Sequence, residues 1–170
     1  MRIPVNCPLL LACLVFPSAV ALAAELPTQP VDMRAHTAGT FYVAGAITGY
    51  GELEFLVDTG SSFPVIGQDM IEVLQAAGEA EFVRDLRGVM ADGSRREVPV
   101  YRLSELRLGE ACWLREVEVA VFPAGARPIL GMSTLARLAP FTFSADPPQL
   151  GLSRCGLSTA AADGPGGASP

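Results

Sequence analysis

The sequence predicts a mainly β protein that contains one or two short helices. Valines alternate with glutamate or alanine through residues 116–121, which is the period-two pattern of a half-buried strand. Asp92 and Gly93 form the dipeptide that most strongly signals a tight hairpin. Two stretches, 68–77 and 132–138, have compositions that suit short helices. Strands and turns therefore make up most of the predicted structure.

Length and charge limit the class of protein. The chain has 170 residues, a net charge of −6, and twelve basic residues that are all arginine. This length suggests one domain. No basic stripe is present, so nucleic acid is not an expected partner.

The N-terminus is predicted to be a signal peptide. An early arginine, an apolar stretch and small residues ending at Ala23 predict export to the periplasm or secretion, with no membrane span after cleavage. Two alternatives are an uncleaved membrane anchor and a lipoprotein signal, because the residues before Cys13 resemble a lipobox. After residues 1–23, the proline-containing segment 24–38 predicts a linker or a loose first strand, and the domain is expected over 39–155.

The first half of the domain is predicted to form strands followed by a helix. Residues 40–47 are aromatic and β-branched, and 52–57 alternate before becoming wholly apolar, which predicts two strands joined by a glycine-rich turn. Asp58 stands at the end of the second strand. Residues 68–77 then predict a short helix that Gly78 ends in a left-handed conformation.

The second half predicts more strands and a short helix. A hairpin is expected around residues 89–94, and Pro99 indicates that the strand after it lies at an edge or protrudes. The remaining elements follow in chain order: a strand to residue 108, a strand at 116–121, a short apolar run at 129–131, a helix at 132–138, and a closing hairpin from 141–143 and 150–152. The low-complexity segment 156–170 predicts a disordered tail.

Several chemistries are excluded by composition. His36 is the only histidine and the chain has no lysine, which argues against a Ser-His-Asp triad, a histidine-based zinc site and a Ser-Lys dyad. Neither glycine-rich nucleotide-binding motif is present. No cofactor and no metal are therefore expected.

Two cysteines remain after removal of the signal peptide. Export to an oxidising compartment favours a bridge between Cys112 and Cys155. The alternative is two buried free thiols, which pack as small apolar residues.

Asp58-Thr59-Gly60-Ser61 is the strongest candidate for chemistry. An isolated aspartate is a poor base and no acid at neutral pH. Two carboxylates about 3 Å apart cannot both ionise, so they share a proton and supply one base and one acid. Such a pair needs a sharp backbone turn, for which Gly60 is suited, and hydroxyls that orient it, for which Thr59 and Ser61 are suited.

These residues closely resemble the active-site motif of aspartic proteases. Phe55-Leu56-Val57 precedes the motif as an apolar strand, and Ile129-Leu130-Gly131 resembles the second signature, which packs behind the catalytic loop. The resemblance covers roughly residues 39–153, and it is to the single-domain retropepsin-like group, particularly its exported bacterial members.

The resemblance implies an all-β, closed-barrel half-domain that carries one catalytic aspartate and acts as a homodimer. The partner of Asp58 is then Asp58 of a second copy, because the D-T-G-S motif occurs once in the chain. A peptide or protein substrate is expected beneath a flap formed by Met90, Ala91, Asp92 and Gly93; the alternative for these residues is a plain surface hairpin. The alternative is a catalytically inactive peptide- or partner-binding module on the same fold.

Overall fold

Ten strands and two short helices make up the described part of the chain, so the prediction of an all-β fold is confirmed. The computed structural model describes residues 28–37, 39–90 and 92–156. The strands are β1 Gln29–His36, β2 Thr40–Ile47, β3 Gly51–Val57, β4 Val65–Gly67, β5 Ala80–Val89, β6 Arg95–Leu108, β7 Cys112–Phe122, β8 Ile129–Leu130, β9 Phe141–Ala145 and β10 Pro148–Leu152; the helices are α1 Gln68–Ala76 and α2 Met132–Arg137.

The strands form one continuous sheet that closes on itself. Their order is β5-β6-β7-β4-β8-β3-β2-β1-β10-β9, and β6 pairs in addition with β2. That extra pairing joins β2, β3, β8, β4, β7 and β6 into a ring, which is a closed barrel. β5 extends the sheet beyond β6, and β1, β10 and β9 extend it beyond β2.

The barrel encloses one main hydrophobic core. Its fully buried large side chains come from six strands and both helices and include Phe55, Ile47, Ile66, Ile71, Leu74, Leu103, Leu106, Leu108, Leu130, Leu135, Leu138 and Leu150. A smaller cluster of Val65, Val98 and Ala120 lies apart from it and packs against Met90 and Phe63, among others. This second cluster connects the β5–β6 hairpin to the strands beside Asp58.

Of the two alternatives predicted for residues 24–38, a linker or a loose first strand, Gln29–His36 form a strand, β1. This strand pairs with β10 on one side and with β2 on the other. Val31 and Met33 are buried in the core, and that burial stabilises the strand despite the neighbouring proline. Residues 1–27 and 157–170, which include the predicted signal peptide and nearly all of the predicted tail, lie outside the described residues.

Other local predictions are confirmed. Gly78 follows α1 with φ of 75°, and the strands β9 and β10 pair as the closing hairpin. The pairing of β6 with β7 begins only at Val100, so the part of β6 that contains Pro99 pairs with β5 alone. Pro99 therefore lies in a protruding hairpin. No strand pairs there with the side of β6 that faces away from β5, so the missing N–H of Pro99 costs no hydrogen bond on that side. Among the described helices, none is long and apolar enough to cross a membrane.

The predicted disulfide between Cys112 and Cys155 is present. It ties the start of β7 to the segment after β10, and the N–H of Gly156 also donates to the carbonyl of Trp113 at 3.2 Å. The bridge closes a loop with a sequence separation of 43 residues.

We expect loss of this bridge to destabilise the fold. Replacing both cysteines, as Cys112→Ser with Cys155→Ser, should lower the free energy of unfolding by about 3–4 kcal/mol, because the unfolded chain regains the entropy that the closed loop removes. Urea unfolding of oxidised wild type and of the double variant measures the difference. Equal unfolding midpoints and slopes would contradict the prediction.

Candidate active site

Asp58 lies directly after β3 and is held by backbone hydrogen bonds. Its N–H donates to the carbonyl of Leu130 at 3.1 Å, which continues the pairing between β3 and β8. Its Oδ1 accepts from the N–H of Gly60 at 2.8 Å. Asp58 is half-buried. The backbone thus fixes both the position of the acid and the direction of one of its oxygens.

Gly60, rather than a hydroxyl, orients the Asp58 carboxylate in the protomer. A Cβ on Gly60 would lie 3.1 Å from Asp58 Oδ1, closer than most real contacts. The hydroxyl of Ser61 donates to the carbonyl of Phe63 at 2.7 Å. Thr59 is exposed, and its hydroxyl makes no hydrogen bond to any described residue. The expectation that Thr59 and Ser61 orient Asp58 is therefore not what this chain alone shows.

The spacing of the motif already contained the signal for this interaction. An aspartate accepts readily from the backbone N–H two residues further on, which is the Asx-turn geometry. Asp58 and Gly60 have that spacing. Sequence reasoning assigned Gly60 only the turn and missed its role as donor.

Ile129 and Leu130 lie beside the strand that ends before Asp58, and Gly131 lies against the loop that follows it. β8 lies between β3 and β4, parallel to the first and antiparallel to the second. Leu130 is fully buried, whereas Ile129 packs against the smaller cluster beside Val65. The two residues therefore pack beside the end of β3.

Gly131 allows the loop after Asp58 to pack against the start of α2. A Cβ at this position would lie 2.3 Å from the carbonyl oxygen of Phe63. The first N–H groups of the helix bind the same loop: Met132 donates to the carbonyl of Ser61 at 2.8 Å, and Ser133 to that of Ser62 at 2.9 Å. These bonds satisfy two of the free donors at the helix start and immobilise the loop that follows Asp58.

The β5–β6 hairpin extends over the strands that flank Asp58. At its tip, Met90 donates to the carbonyl of Ser94 at 2.8 Å, and Gly93 donates to that of Met90 at 2.9 Å. Gly93 has φ of 79°, and Asp92 Oδ1 accepts from the N–H of Ser94 at 2.9 Å. Met90 packs against the smaller cluster. Ala91, the fourth predicted flap residue, lies outside the described residues.

Comparisons with known proteins agree with this geometry. Residues 43–137 match the family model of gag-polyprotein putative aspartyl proteases. The chain belongs to this aspartyl protease family. The matched region contains both Asp58 and Gly131, the residue at the start of α2 against which the loop after Asp58 packs.

A solved structure shows the same fold. The crystal structure of a retropepsin-like aspartic protease from Rickettsia conorii superposes with a TM-score of 0.52 at 21% sequence identity, covering 75% of this chain and 92% of that one. The chain therefore has the retropepsin-like fold. A comparison with curated protein sequences finds no match.

An ion pair holds the hairpin of this aspartyl protease domain against the barrel. Arg84 on β5 donates two hydrogen bonds to Glu118 on β7, at 3.0 and 2.7 Å. The guanidinium beside it lowers the pKa of the Glu118 carboxyl below its ordinary value. The pair joins strands that β6 separates, so it limits movement at the base of the hairpin rather than at its tip. Among the described residues, no group of three acidic, cysteine or histidine side chains is placed to hold a metal ion.

Proposed function

We propose that this protein is an aspartic endopeptidase whose active site forms between two copies of the chain. One observation carries the proposal: the single D-T-G motif of the chain has a half-buried aspartate, with one oxygen bound by Gly60, directly after a strand of a retropepsin-like fold. Asp58 from each chain then supplies one carboxyl group of a proton-sharing pair.

The pair would act on a water molecule held between the two carboxyl groups. The ionised carboxylate takes a proton from the water as its oxygen attacks the peptide carbonyl carbon, and the protonated carboxyl gives its proton to the carbonyl oxygen. Collapse of the resulting diol breaks the C–N bond, and the leaving nitrogen takes up a proton. The Asp58–Gly60 hydrogen bond leaves the other oxygen, Oδ2, available for this exchange.

The substrate would be an extended stretch of peptide or protein. An extended peptide binds beside strands through backbone hydrogen bonds and fills pockets with alternate side chains. The tip of the β5–β6 hairpin, at Met90, Asp92 and Gly93, would cover it, because this hairpin protrudes beyond β7 and packs beside the catalytic loop. Its small apolar cluster would contact the side chains nearest to the cleaved bond.

We further propose that the protein acts in an oxidising compartment, in the periplasm or outside the cell. The Cys112–Cys155 bridge supports this, because such bonds persist where thiols are not kept reduced. The apolar N-terminus with its small-residue cleavage pattern is the second support.

Activity should depend on protein concentration. If each chain supplies one Asp58, specific activity falls on dilution below the dimer dissociation constant, because a single chain holds half of the pair. Cleavage of an unstructured protein substrate, measured across a dilution series together with sedimentation velocity, tests this. Activity and dimer fraction should change at the same concentration.

Mixing wild-type chains with Asp58→Asn chains provides a second test of the same shared site. With a fourfold excess of Asp58→Asn chains, random pairing leaves about one fifth of the wild-type chains in wild-type homodimers, so their activity should fall about fivefold. An equal excess of an inert protein should leave the activity unchanged. If the specific activity stays constant in both the dilution and the mixing experiment, and the mass is that of a monomer, the second acid lies within the same chain. Absence of cleavage at any concentration would instead favour the inactive binding module.

A further inference from the structure

One face of the β5–β6 hairpin is turned toward the strands that flank Asp58. Val98 of β6 is buried in the smaller cluster together with Val65 of β4. Val65 pairs with Ile129, and Ile129 pairs with Leu56, two residues before Asp58. The face of the hairpin that carries Val98 is therefore the face nearest to the catalytic residue.

Strand register assigns the other hairpin residues to this face or to the opposite one. Side chains alternate along a strand, and directly paired residues of antiparallel strands lie on the same face. Leu86 pairs with Val98, and Gly88 pairs with Arg96. We call the face toward Asp58 the inner face, and it consists of Leu86, Gly88, Met90, Arg96 and Val98. The outer face consists of Arg87, Val89, Arg95 and Glu97.

Arg96 is the charged residue of the inner face, and its neighbours there are apolar. Gly88, directly opposite, has no side chain, and a Cβ at that position would lie 2.9 Å from Met90 Cε and 3.6 Å from Val98 Cγ2. From the rise of a strand, Arg96 lies about 7 Å nearer to the hairpin tip than Val98. A guanidinium group is thus carried by an apolar surface that faces the catalytic residue.

The Arg96 guanidinium forms no ion pair with any described residue. Arg84, at the base of the same hairpin, is by contrast bound to Glu118. Arg96 is exposed. At the tip, hydrogen bonding from Ser94 lowers the pKa of the Asp92 carboxyl, and the positive charge of Arg96 adds a smaller effect in the same direction. The donors of Arg96 are therefore available to a bound acceptor.

We propose that Arg96 selects peptides that place an acidic side chain close to Asp58, beside the cleaved bond. An extended peptide under the hairpin directs alternate side chains toward the inner face. There a glutamate or aspartate of the substrate accepts two parallel hydrogen bonds from the guanidinium. The apolar neighbours exclude water and strengthen the contact. The inference rests on the proposed function, because it assumes that the peptide binds between the hairpin and Asp58.

Arg95 provides the matched control. It is the next residue along the chain, it is also exposed, and it pairs with Val89 on the outer face. Like Arg96, it forms no ion pair with a described residue. Its substitution changes the charge of the hairpin by the same amount, but on the face turned away from the peptide. An effect of net charge or of hairpin stability would therefore appear with both arginines.

Peptides that differ in one residue measure the preference. A glutamate is moved through the positions around the cleaved bond of an uncharged peptide, and each version is compared with its glutamine counterpart at about pH 6, where glutamate is ionised. Wild type should cleave the glutamate peptide with roughly tenfold higher kcat/KM at one position or more. Arg96→Gln should abolish this ratio, and Arg96→Glu should make lysine better than glutamate there. Arg95→Gln and Arg95→Glu should keep the wild-type ratio.

The ratio between the two peptides distinguishes substrate recognition from support of the hairpin. If Arg96→Gln lowers kcat/KM equally for the glutamate and the glutamine peptide, the arginine acts on the hairpin and the proposal is wrong. A wild type that shows no preference at any position also overturns it. So does a loss of the preference in the Arg95 variants.

A binding measurement separates this inference from the proposed function. Fluorescence anisotropy with the same peptides, labelled, is measured on Asp58→Asn protein with Arg96 either intact or replaced by glutamine. Tighter binding of the glutamate peptide that depends on Arg96, with no cleavage by wild type, would leave the recognition of acidic peptides standing and overturn the peptidase. Cleavage by wild type with no preference in either assay would leave the peptidase standing and overturn the role of Arg96.

Discussion

Asp58→Asn should reduce peptidase activity by roughly 10³-fold or more while leaving fold and dimer intact. Asparagine has nearly the shape of aspartate, and its side-chain oxygen can still accept from the N–H of Gly60, now 2.8 Å from Oδ1. It cannot take a proton from water, so the pair loses its base. Cleavage rates measured above the dimer dissociation constant, with thermal unfolding of the same sample, separate loss of chemistry from loss of structure.

Asp85→Asn is the control for this variant. It makes the same change at an exposed position on β5, where the side chain has no hydrogen bond within the described residues. We expect it to keep wild-type activity and stability. An Asp58→Asn protein that cleaves at the wild-type rate would show that Asp58 is not catalytic.

The candidate site was largely predictable because its signals are local. An apolar strand that ends in Asp-Thr-Gly-Ser and a later Ile-Leu-Gly each specify a short stretch of backbone. Their packing follows from the parallel pairing of Leu56 with Ile129 and of Val57 with Leu130. Family resemblance linked the two stretches, which composition and periodicity alone do not.

Sequence reasoning did not assign the strands β4 and β5, and it left β1 as one of two alternatives. β4 has only three residues, too few to show an alternation, and it exists because β7 and β8 bind it on both sides. β5 is an edge strand with mostly exposed, charged residues, so it lacks a buried stripe. β1 begins beside prolines, and its pairing partner β10 lies more than a hundred residues away. Long-range pairing overrides local propensity in β1 and β4, whereas β5 depends on the next strand, β6, with which it forms a hairpin.

Residue types alone did not decide which group donates the hydrogen bond to Asp58. Residue types show that Ser61 can donate, but the nearest acceptor in three dimensions is the carbonyl of Phe63, which the turn before Pro64 brings within 2.7 Å. The sequence predicted Gly60 only as a turn residue, yet its N–H donates the hydrogen bond to the Asp58 carboxylate. Such assignments require the backbone path.

Gly131→Ala should be among the most destabilising substitutions of a single methyl group in this chain. The added Cβ would lie 2.3 Å from the carbonyl oxygen and 2.4 Å from the carbonyl carbon of Phe63. Because these are backbone atoms, no side-chain rotation relieves the overlap, and the loop after Asp58 must move away from α2. We expect a loss of about 3 kcal/mol in the free energy of unfolding, measured by urea denaturation.

Gly88→Ala tests whether backbone contact is the cause. The nearest atom to its Cβ would be Met90 Cε, at 2.9 Å, and that flexible side-chain end can rotate aside; the other two neighbours, on Val98 and Leu86, are at ordinary contact distances. This control should therefore change the free energy of unfolding by less than about 1 kcal/mol.

The Gly131→Ala variant should also lose activity at temperatures where it remains folded, because displacement of the loop moves Asp58 away from its partner. A misplacement of about 1 Å costs roughly a hundredfold in rate. Equal stability of the two variants would mean that the active-site loop yields without cost, and that Gly131 does not position Asp58.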